Sequence, residues 1–328
     1  MSRALIARAP TRIDFGGGWT DVPPYSRDLG GAVCNIAIAR YATVTASRGA
    51  PDGADRGIAS ASAADRALVD AALRRAGRTD AHATVASDFP LGAGLGGSSA
   101  AGVALAGALA ALAGETLGPA ALAERSRATE VEELGIAGGF QDHYAAAHGG
   151  ALLLTFRSGV DVERLDLAPT FRDALTARAL LVYTGESRLS GDTISAVLDG
   201  YQADAGPVCA ALARMKALAL EMAAAIRAGD LDALGELVGE HWAHQRALAH
   251  GISTPRIEAL LSAGRRAGML GGKALGASGG GCVLLVAAAG REDELAAAVA
   301  PLGTRLAYTV DERGFEIVAA ISDDQETS

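Results

Sequence analysis

Pro90-Leu-Gly-Ala-Gly-Leu-Gly-Gly-Ser-Ser-Ala100 sets four glycines directly ahead of two hydroxyl side chains, and an Ala-rich apolar run follows to about residue 113. A backbone without Cβ atoms can close on the oxygens of an anion, its N–H groups converge, and the helix start adds partial positive charge. The stretch therefore reads as an anion-binding loop, with Ser98 or Ser99 capping the helix and able to touch a cation. No Lys follows the last glycine, so this is not a Walker A loop. The second strand and acidic residue that a dinucleotide-binding GxGxxG would need are also missing. Taken alone, the loop reads equally well as a flexible turn with an ordinary N-cap.

Working outward, short β-like runs alternate with Ala-rich helical runs. Residues 4–9, 32–37, 41–46 and 83–86 read as strands and 64–76 as a helix, with a loop from Pro51 to about residue 62. Strands are expected at 151–156 and 179–183. The second half is richer in helix, at about 193–201, 207–228, 231–249 and 254–267, before strands at 282–287, 305–310 and 315–321 and a polar tail at 323–328. The expectation is an α+β protein in two domains, 1–175 with the glycine loop and 176–328.

Composition narrows the function classes. Half of the 328 residues are hydrophobic but only 4% are aromatic, and the net charge is -9, with no basic stretch longer than Arg74-Arg75 or Arg265-Arg266. A polyanion would be repelled, so no nucleic-acid partner is expected. Cys34, Cys209 and Cys282 are odd in number and widely spaced, which indicates neither a disulfide framework nor a zinc site and fits a reducing, cytoplasmic setting. No apolar run is long enough to suggest a membrane span, and the N-terminus does not read as a signal peptide. His82, His143, His148 and His250 show no metal-ligand spacing and read as core or surface residues.

Three further segments accompany the loop. Ala9-Pro-Thr-Arg-Ile-Asp-Phe-Gly-Gly-Gly-Trp-Thr-Asp-Val-Pro-Pro-Tyr25 runs from a strand into a glycine turn. Thr129-Glu-Val-Glu-Glu-Leu-Gly-Ile-Ala-Gly-Gly-Phe-Gln-Asp-His-Tyr144 carries an isolated Gln-Asp pair, and Gly276-Ala-Ser-Gly-Gly-Gly-Cys282 is a third glycine run. Together these resemble the GHMP kinases, named for galactokinase, homoserine, mevalonate and phosphomevalonate kinases, over nearly the whole chain. Within that superfamily the chain is most similar to the D-glycero-D-manno-heptose 7-phosphate kinases. The likeness rests on the Thr20-Asp21 turn, Gly30-Gly31-Ala32-Val33 leading to Asn35, Gln141-Asp142, Tyr183-Thr184-Gly185 with Ser187-Arg188, and Gly271-Gly272-Lys273. It implies a ribosomal protein S5 domain 2-like N-terminal domain and a ferredoxin-like C-terminal α/β sandwich. It also implies ATP and Mg2+ as cofactors and transfer of the γ-phosphoryl group to a sugar hydroxyl. The acceptor would be the anomeric oxygen of a heptose 7-phosphate, with a neutral hexose, deoxyhexose or uronic acid as the alternative. A sensor that keeps the fold without turnover is a third reading.

The resemblance assigns roles residue by residue. Asp142 falls on the catalytic aspartate and Arg12 on the arginine beside it. Pro90, Gly92, Gly94, Leu95, Gly96, Gly97, Ser98 and Ser99 fall on the nucleotide loop, with Ser99 and Glu130 on the magnesium ligands. Gly17, Gly18, Thr20, Asp21, Gln141, Tyr183, Arg188, Lys273, Gly279 and Gly280 fall on the sugar site, with Asp21 as a sugar-contacting carboxylate. A distal phosphate would need a cation, for which Arg188, Lys273, His244 and Arg246 are the candidates. Each role has a plainer competitor: Asp142 as a helix N-cap, Glu130 as one of three solvated charges with Glu132 and Glu133, and Arg12 as the partner of Asp14 on one strand face. Asp14, Trp19, Ser278 and Cys282 depart from the family pattern. Asp14 is expected to weaken or reposition Arg12, Trp19 either to stack on a sugar or to pack at a domain edge, and Ser278 to stiffen the last glycine run.

Overall fold

The computed structural model describes residues 3–49, 62–186 and 191–322, so the loop expected from Pro51 onward lies outside the described residues, as do Arg188 and the tail. The N-terminal run is longer than its apolar pattern indicates. It forms β1 (Arg3–Gly16), which pairs antiparallel with β2 (Gly31–Arg48). The two strands expected at 32–37 and 41–46 are one bent strand: the register jumps so that Pro10 faces Tyr41 while Thr11 faces Ile38. The two residues left over, Ala39 and Arg40, form the bend, opposite a proline that has no N–H to donate to the ladder.

After α1 (Tyr25–Leu29) and β2 come α2 (Ala63–Arg75), β3 (Ala81–Ser87), α3 (Gly97–Ala113), α4 (Pro119–Ala128), a π-helical turn at Thr129–Glu133, and α5 (Gln141–His148). Then follow β4 (Ala151–Phe156), β5 (Val160–Leu165), α6 (Pro169–Arg178) and β6 (Ala179–Tyr183). The helical stretch is α7 (Gly191–Gln202), α8 (Gly206–Ala228), α9 (Leu231–Gln245) and α10 (Pro255–Arg266). The chain closes with β7 (Met269–Ala274), β8 (Cys282–Ala287), α11 (Glu292–Val299), β9 (Thr304–Arg305) and β10 (Glu316–Ser322). The expected strand at 305–310 shrinks to β9, because its remainder bonds to other parts of the chain: Leu306 N–H to Leu181 O, and Thr309 O to Ala39 N–H.

Two antiparallel sheets result, one in the order β10-β1-β2-β4-β5 with β3 on β2, the other β7-β8-β6-β9. We propose the 175/176 boundary as the point where the layers part, with one amendment: β10 returns to pair with β1, so the last strand joins the first sheet. Helix α3 is apolar on every side and is buried between the first sheet and α4 and α5, as its pattern requires. On the opposite side, α8 lays Leu218, Ala219, Met222 and Ala223 against Ile13, Phe15 and Ile36, in a core shared with Leu181 and Leu284 of the second sheet. That shared core packs the end of β1 with residues of β6 and β8. Among the described residues no helix is long and apolar enough to cross a membrane.

Candidate active site

In the glycine loop, Gly92, Gly94 and Gly96 all have positive φ, while Ala93 and Leu95 between them are buried. The loop is thereby pinned by its side chains and bares its backbone. The expected serine cap is replaced by Gly96 in the left-handed conformation: α3 begins at Gly97, and no side chain caps it. Its first N–H groups stay open to an external anion. The third glycine run packs behind the loop. Cys282 N–H donates to Ala93 O at 2.8 Å, and a Cβ on Gly94 would lie 2.7 Å from Leu275 O. Ser278 has φ of 66° and accepts a 3.0 Å hydrogen bond from Gln245 Nε2, which also reaches the carbonyls of Ala274 and Gly276. Gln245 is a clamp that the sequence pattern does not signal.

Arg12 faces the loop from β1. Its Nε and Nη2 donate to the two oxygens of Asp142 at 2.7 and 2.9 Å, and Nη1 donates to Gly94 O at 2.7 Å. Arg12 does not pair with its competing partner Asp14, which is bonded to Lys273 Nζ at 2.8 Å. Asp142 is not an N-cap either. It stands one residue inside α5, and the start of that helix is held from a distance by Asp21, whose Oδ2 accepts from Phe140 N–H at 2.8 Å and Gln141 N–H at 3.0 Å. Burial, with Asp142 and Asp14 nearby, raises the Asp21 carboxyl to about 6 despite these two bonds. One oxygen of this expected sugar contact is thus engaged on the backbone.

Glu130 is buried at the π-helical turn rather than solvated with Glu132 and Glu133. It accepts from Ser98 Oγ, more weakly from Ser99 Oγ at 3.4 Å, and lies 3.3 Å from His143 Nε2. Burial alone would raise its carboxyl, but His143 and the two hydroxyls outweigh that and hold it below the usual range. His143 Nδ1 is 2.9 Å from Ser126 Oγ, so the imidazole spans α4 and the α3 start. Of the core or surface roles expected for His143, the structure shows a buried, polar one beside the site; its position next to Asp142 is the available signal.

Lys273 is corrected as a phosphate ligand. It is fully buried, and its ammonium is committed to Asp14. Arg246 lies 3.6 Å from Glu258 and His244 3.9 Å from Glu240. Thr20 is internal, its hydroxyl bonded to Gly17 O in the turn and to Ala32 O of β2. Gly17 N–H donates to the buried His241 Nε2 at 2.9 Å, and burial beside Lys273 holds that imidazole neutral, well below its ordinary pKa. Gly18 lies over Asp14 and Gln141. Tyr183 ends β6 half-buried, while Gly279 is fixed by its N–H to Ile252 O and Gly280 lies against Glu186 O.

Two family models match the chain: the GHMP kinases N terminal domain over residues 59–150 and the GHMP kinases C terminal domain over 222–302, together more than half of it. The chain belongs to the GHMP kinases. Among curated relatives, the L-fucokinase/L-fucose-1-P guanylyltransferase of Bacteroides fragilis is 28% identical over 85% of this GHMP kinase and 34% of that protein. The D-glycero-alpha-D-manno-heptose 7-phosphate kinase of Campylobacter jejuni is 32% identical over 60% of this chain and 58% of that one. The chain thus spans about a third and somewhat over half of these two relatives. A D-glycero-D-manno-heptose 1-phosphate kinase structure from Bacteroides thetaiotaomicron superposes with a TM-score of 0.74 at 24% identity, covering 98% of this chain and all of that one. The two-domain GHMP kinase fold of mixed α and β content is thereby shown.

Proposed function

We propose that this GHMP kinase transfers the γ-phosphoryl group of ATP to a sugar hydroxyl, with the anomeric hydroxyl of a neutral hexose or deoxyhexose as acceptor. One observation carries the reading: a single guanidinium ties the Asp142 carboxylate to the carbonyl of Gly94, which puts a proton acceptor at the rim of an anion-binding loop. ATP phosphates would rest on the backbone from Pro90 through Gly92, Gly94, Leu95, Gly96 and Gly97 to Ser98 and Ser99. Asp142 takes the proton of the acceptor hydroxyl, the new O–P bond forms, and the bond from the γ-phosphorus to the bridging oxygen breaks with its electron pair going to ADP. The transition state is loose, so placement and charge outweigh basicity, and Arg12 supplies a fixed cation.

Glu130 with Ser98 and Ser99 fits a hard cation. The carboxylate is held ionised, two hydroxyl oxygens flank it, and phosphate oxygens and water can complete the ligand set. Mg2+ bound there would neutralise phosphate charge. On the acceptor side, Gln141 Oε1 has no partner among the described residues and suits a hydroxyl donor. Gly17, Gly18 and Tyr183 offer further lining.

The neutral sugar is favoured because, of the three candidate cations among the described residues, Lys273 is sequestered while His244 and Arg246 lie near carboxylates; Arg188 lies outside the described residues. Its competitor, a heptose 7-phosphate, draws on the Campylobacter jejuni relative. ADP release measured over a panel of neutral hexoses, deoxyhexoses, uronic acids and heptose 7-phosphate decides between them. Turnover with phosphorylated heptose alone would overturn the preference.

A further inference from the structure

Arg12 and Asp14 are neighbours on one face of β1, about 7 Å apart along the strand. Asp14 is therefore the carboxylate best placed to compete with Asp142 for the Arg12 guanidinium. The competition is prevented from the other sheet. Lys273 on β7 sends its ammonium to Asp14 Oδ2 at 2.8 Å, and both side chains are buried. Burial pulls the lysine pKa down, but Asp14 opposes this, and an ion pair so enclosed keeps both charges only by staying paired. Asp14 Oδ1 has no partner among the described residues, so the carboxylate has unused capacity to accept. Gly18 of the glycine turn lies between Asp14 and Gln141: a Cβ there would be 2.5 Å from Asp14 Oδ2 and 2.8 Å from Gln141 Nε2.

We propose that Lys273 is a positioning residue: by neutralising Asp14 it keeps Arg12 committed to Asp142 and Gly94. With Lys273, Asp14 and Asp142 each meet a cation of their own, while Asp21 is held by the Phe140 and Gln141 N–H groups. Without it, Asp14 and Asp142 share one guanidinium. This rests on the kinase reading above, in which Arg12 and Asp142 carry the chemistry. It differs from a plain tie between sheets in a way that rescue can expose, because Asp14→Asn removes the competitor whereas it cannot restore a tie.

Three proteins are compared with wild type: Lys273→Met, Asp14→Asn/Lys273→Met, and Asp14→Asn. The Lys273→Met variant is expected to lose at least about tenfold in kcat while KM for ATP moves less than about twofold. The double variant should return to within about threefold of wild-type kcat. A double variant as slow as Lys273→Met overturns the proposal. If Lys273→Met does not fold, the double variant, which buries no lone charge, is set against wild type alone, and a kcat reduced about tenfold or more is the overturning result. A crystal structure of Lys273→Met reads the geometry directly. Arg12 should have turned from Asp142 towards residue 14, and an unchanged Arg12–Asp142 fork refutes sequestration. That structural arm needs no substrate, so wild-type protein inert towards every sugar would count against the kinase reading and leave this test standing.

Discussion

Gly96 and Asp142 approach so closely that a methyl group on the glycine would lie 3.0 Å from the carboxylate carbon of the aspartate. The anion loop and the acid therefore touch across the residue at the cap position of α3. Gly96 also has φ of 74°, where a side chain costs about 1 kcal/mol. Gly96→Ala is expected to lower the melting midpoint by only a few degrees but to reduce kcat by about tenfold or more, since sub-ångström shifts in reacting geometry are expensive. Steady-state kinetics beside thermal melting check this, and a variant that loses stability while keeping kcat refutes the contact as functional.

Removing the carboxylate's charge is the sharper case. Asp142→Asn keeps the shape but loses the proton acceptor and the bidentate ion pair to Arg12. We expect kcat to fall by about 10²- to 10⁴-fold, with ATP binding by calorimetry little changed. Absence of turnover in both proteins, with ATP still bound, would favour a binding protein that has kept a kinase fold, and equal turnover in both would remove Asp142 from the chemistry. Arg12→Lys should fall in the same direction, because an ammonium cannot hold Asp142 and Gly94 O in one planar fork.

How much of this is legible in the sequence follows from the physics of each signal. The loop, Asp142 and Glu130 are marked by local composition and spacing, and strands such as β4 and β6 by continuous apolar runs. Asp14 and Lys273 lie 259 residues apart, so only the tertiary fold joins them; no local pattern can tell a lysine that meets phosphate from one that meets a buried carboxylate. Strand β10 is hidden in the same way. Its run is visible, but its partner, β1, is at the other end of the chain. Helix α6 and strand β5 escape a reading by pattern because their exposed faces dilute the apolar period.

Acid–base stability should show two opposed contributions. Asp21 is raised in the fold from 3.8 to about 6, so its native state holds the proton more tightly; this contribution is full below about pH 4 and is lost as pH rises to about 6. The loss is on the order of 3 kcal/mol for a shift of this size. Asp21→Asn keeps a carbonyl acceptor for the α5 N–H groups, so its unfolding free energy should lack that decline between about pH 4 and 6. Denaturant titrations at several pH values measure it. Glu130 has the reverse sign: its folded carboxyl is lowered, so its contribution is present above its ordinary value of 4.5 and disappears as acid protonates it. An Asp21→Asn curve parallel to wild type across that same acidic range would show that the buried carboxyl does not titrate there.

Trp19 provides the last test, because stacking on a sugar and packing in the core predict opposite signatures. Its backbone has φ of 81°, a conformation that costs a bulky residue about 1–2 kcal/mol, so glycine would relieve strain there. Its side chain is buried with Tyr25, Met215 and Trp242 in the core of the helical layer, and removing such a ring costs about 3–5 kcal/mol. The lost packing outweighs the relieved strain, and Trp19→Gly is expected to be about 2 kcal/mol less stable. Because the ring belongs to a buried core with Met215 and Trp242 of α8 and α9, KM for the acceptor should change by less than about threefold in protein that remains folded. A KM raised about tenfold with an unchanged melting midpoint would instead make Trp19 a sugar-stacking residue, and would move the acceptor site from Gln141 towards the tip of the glycine turn.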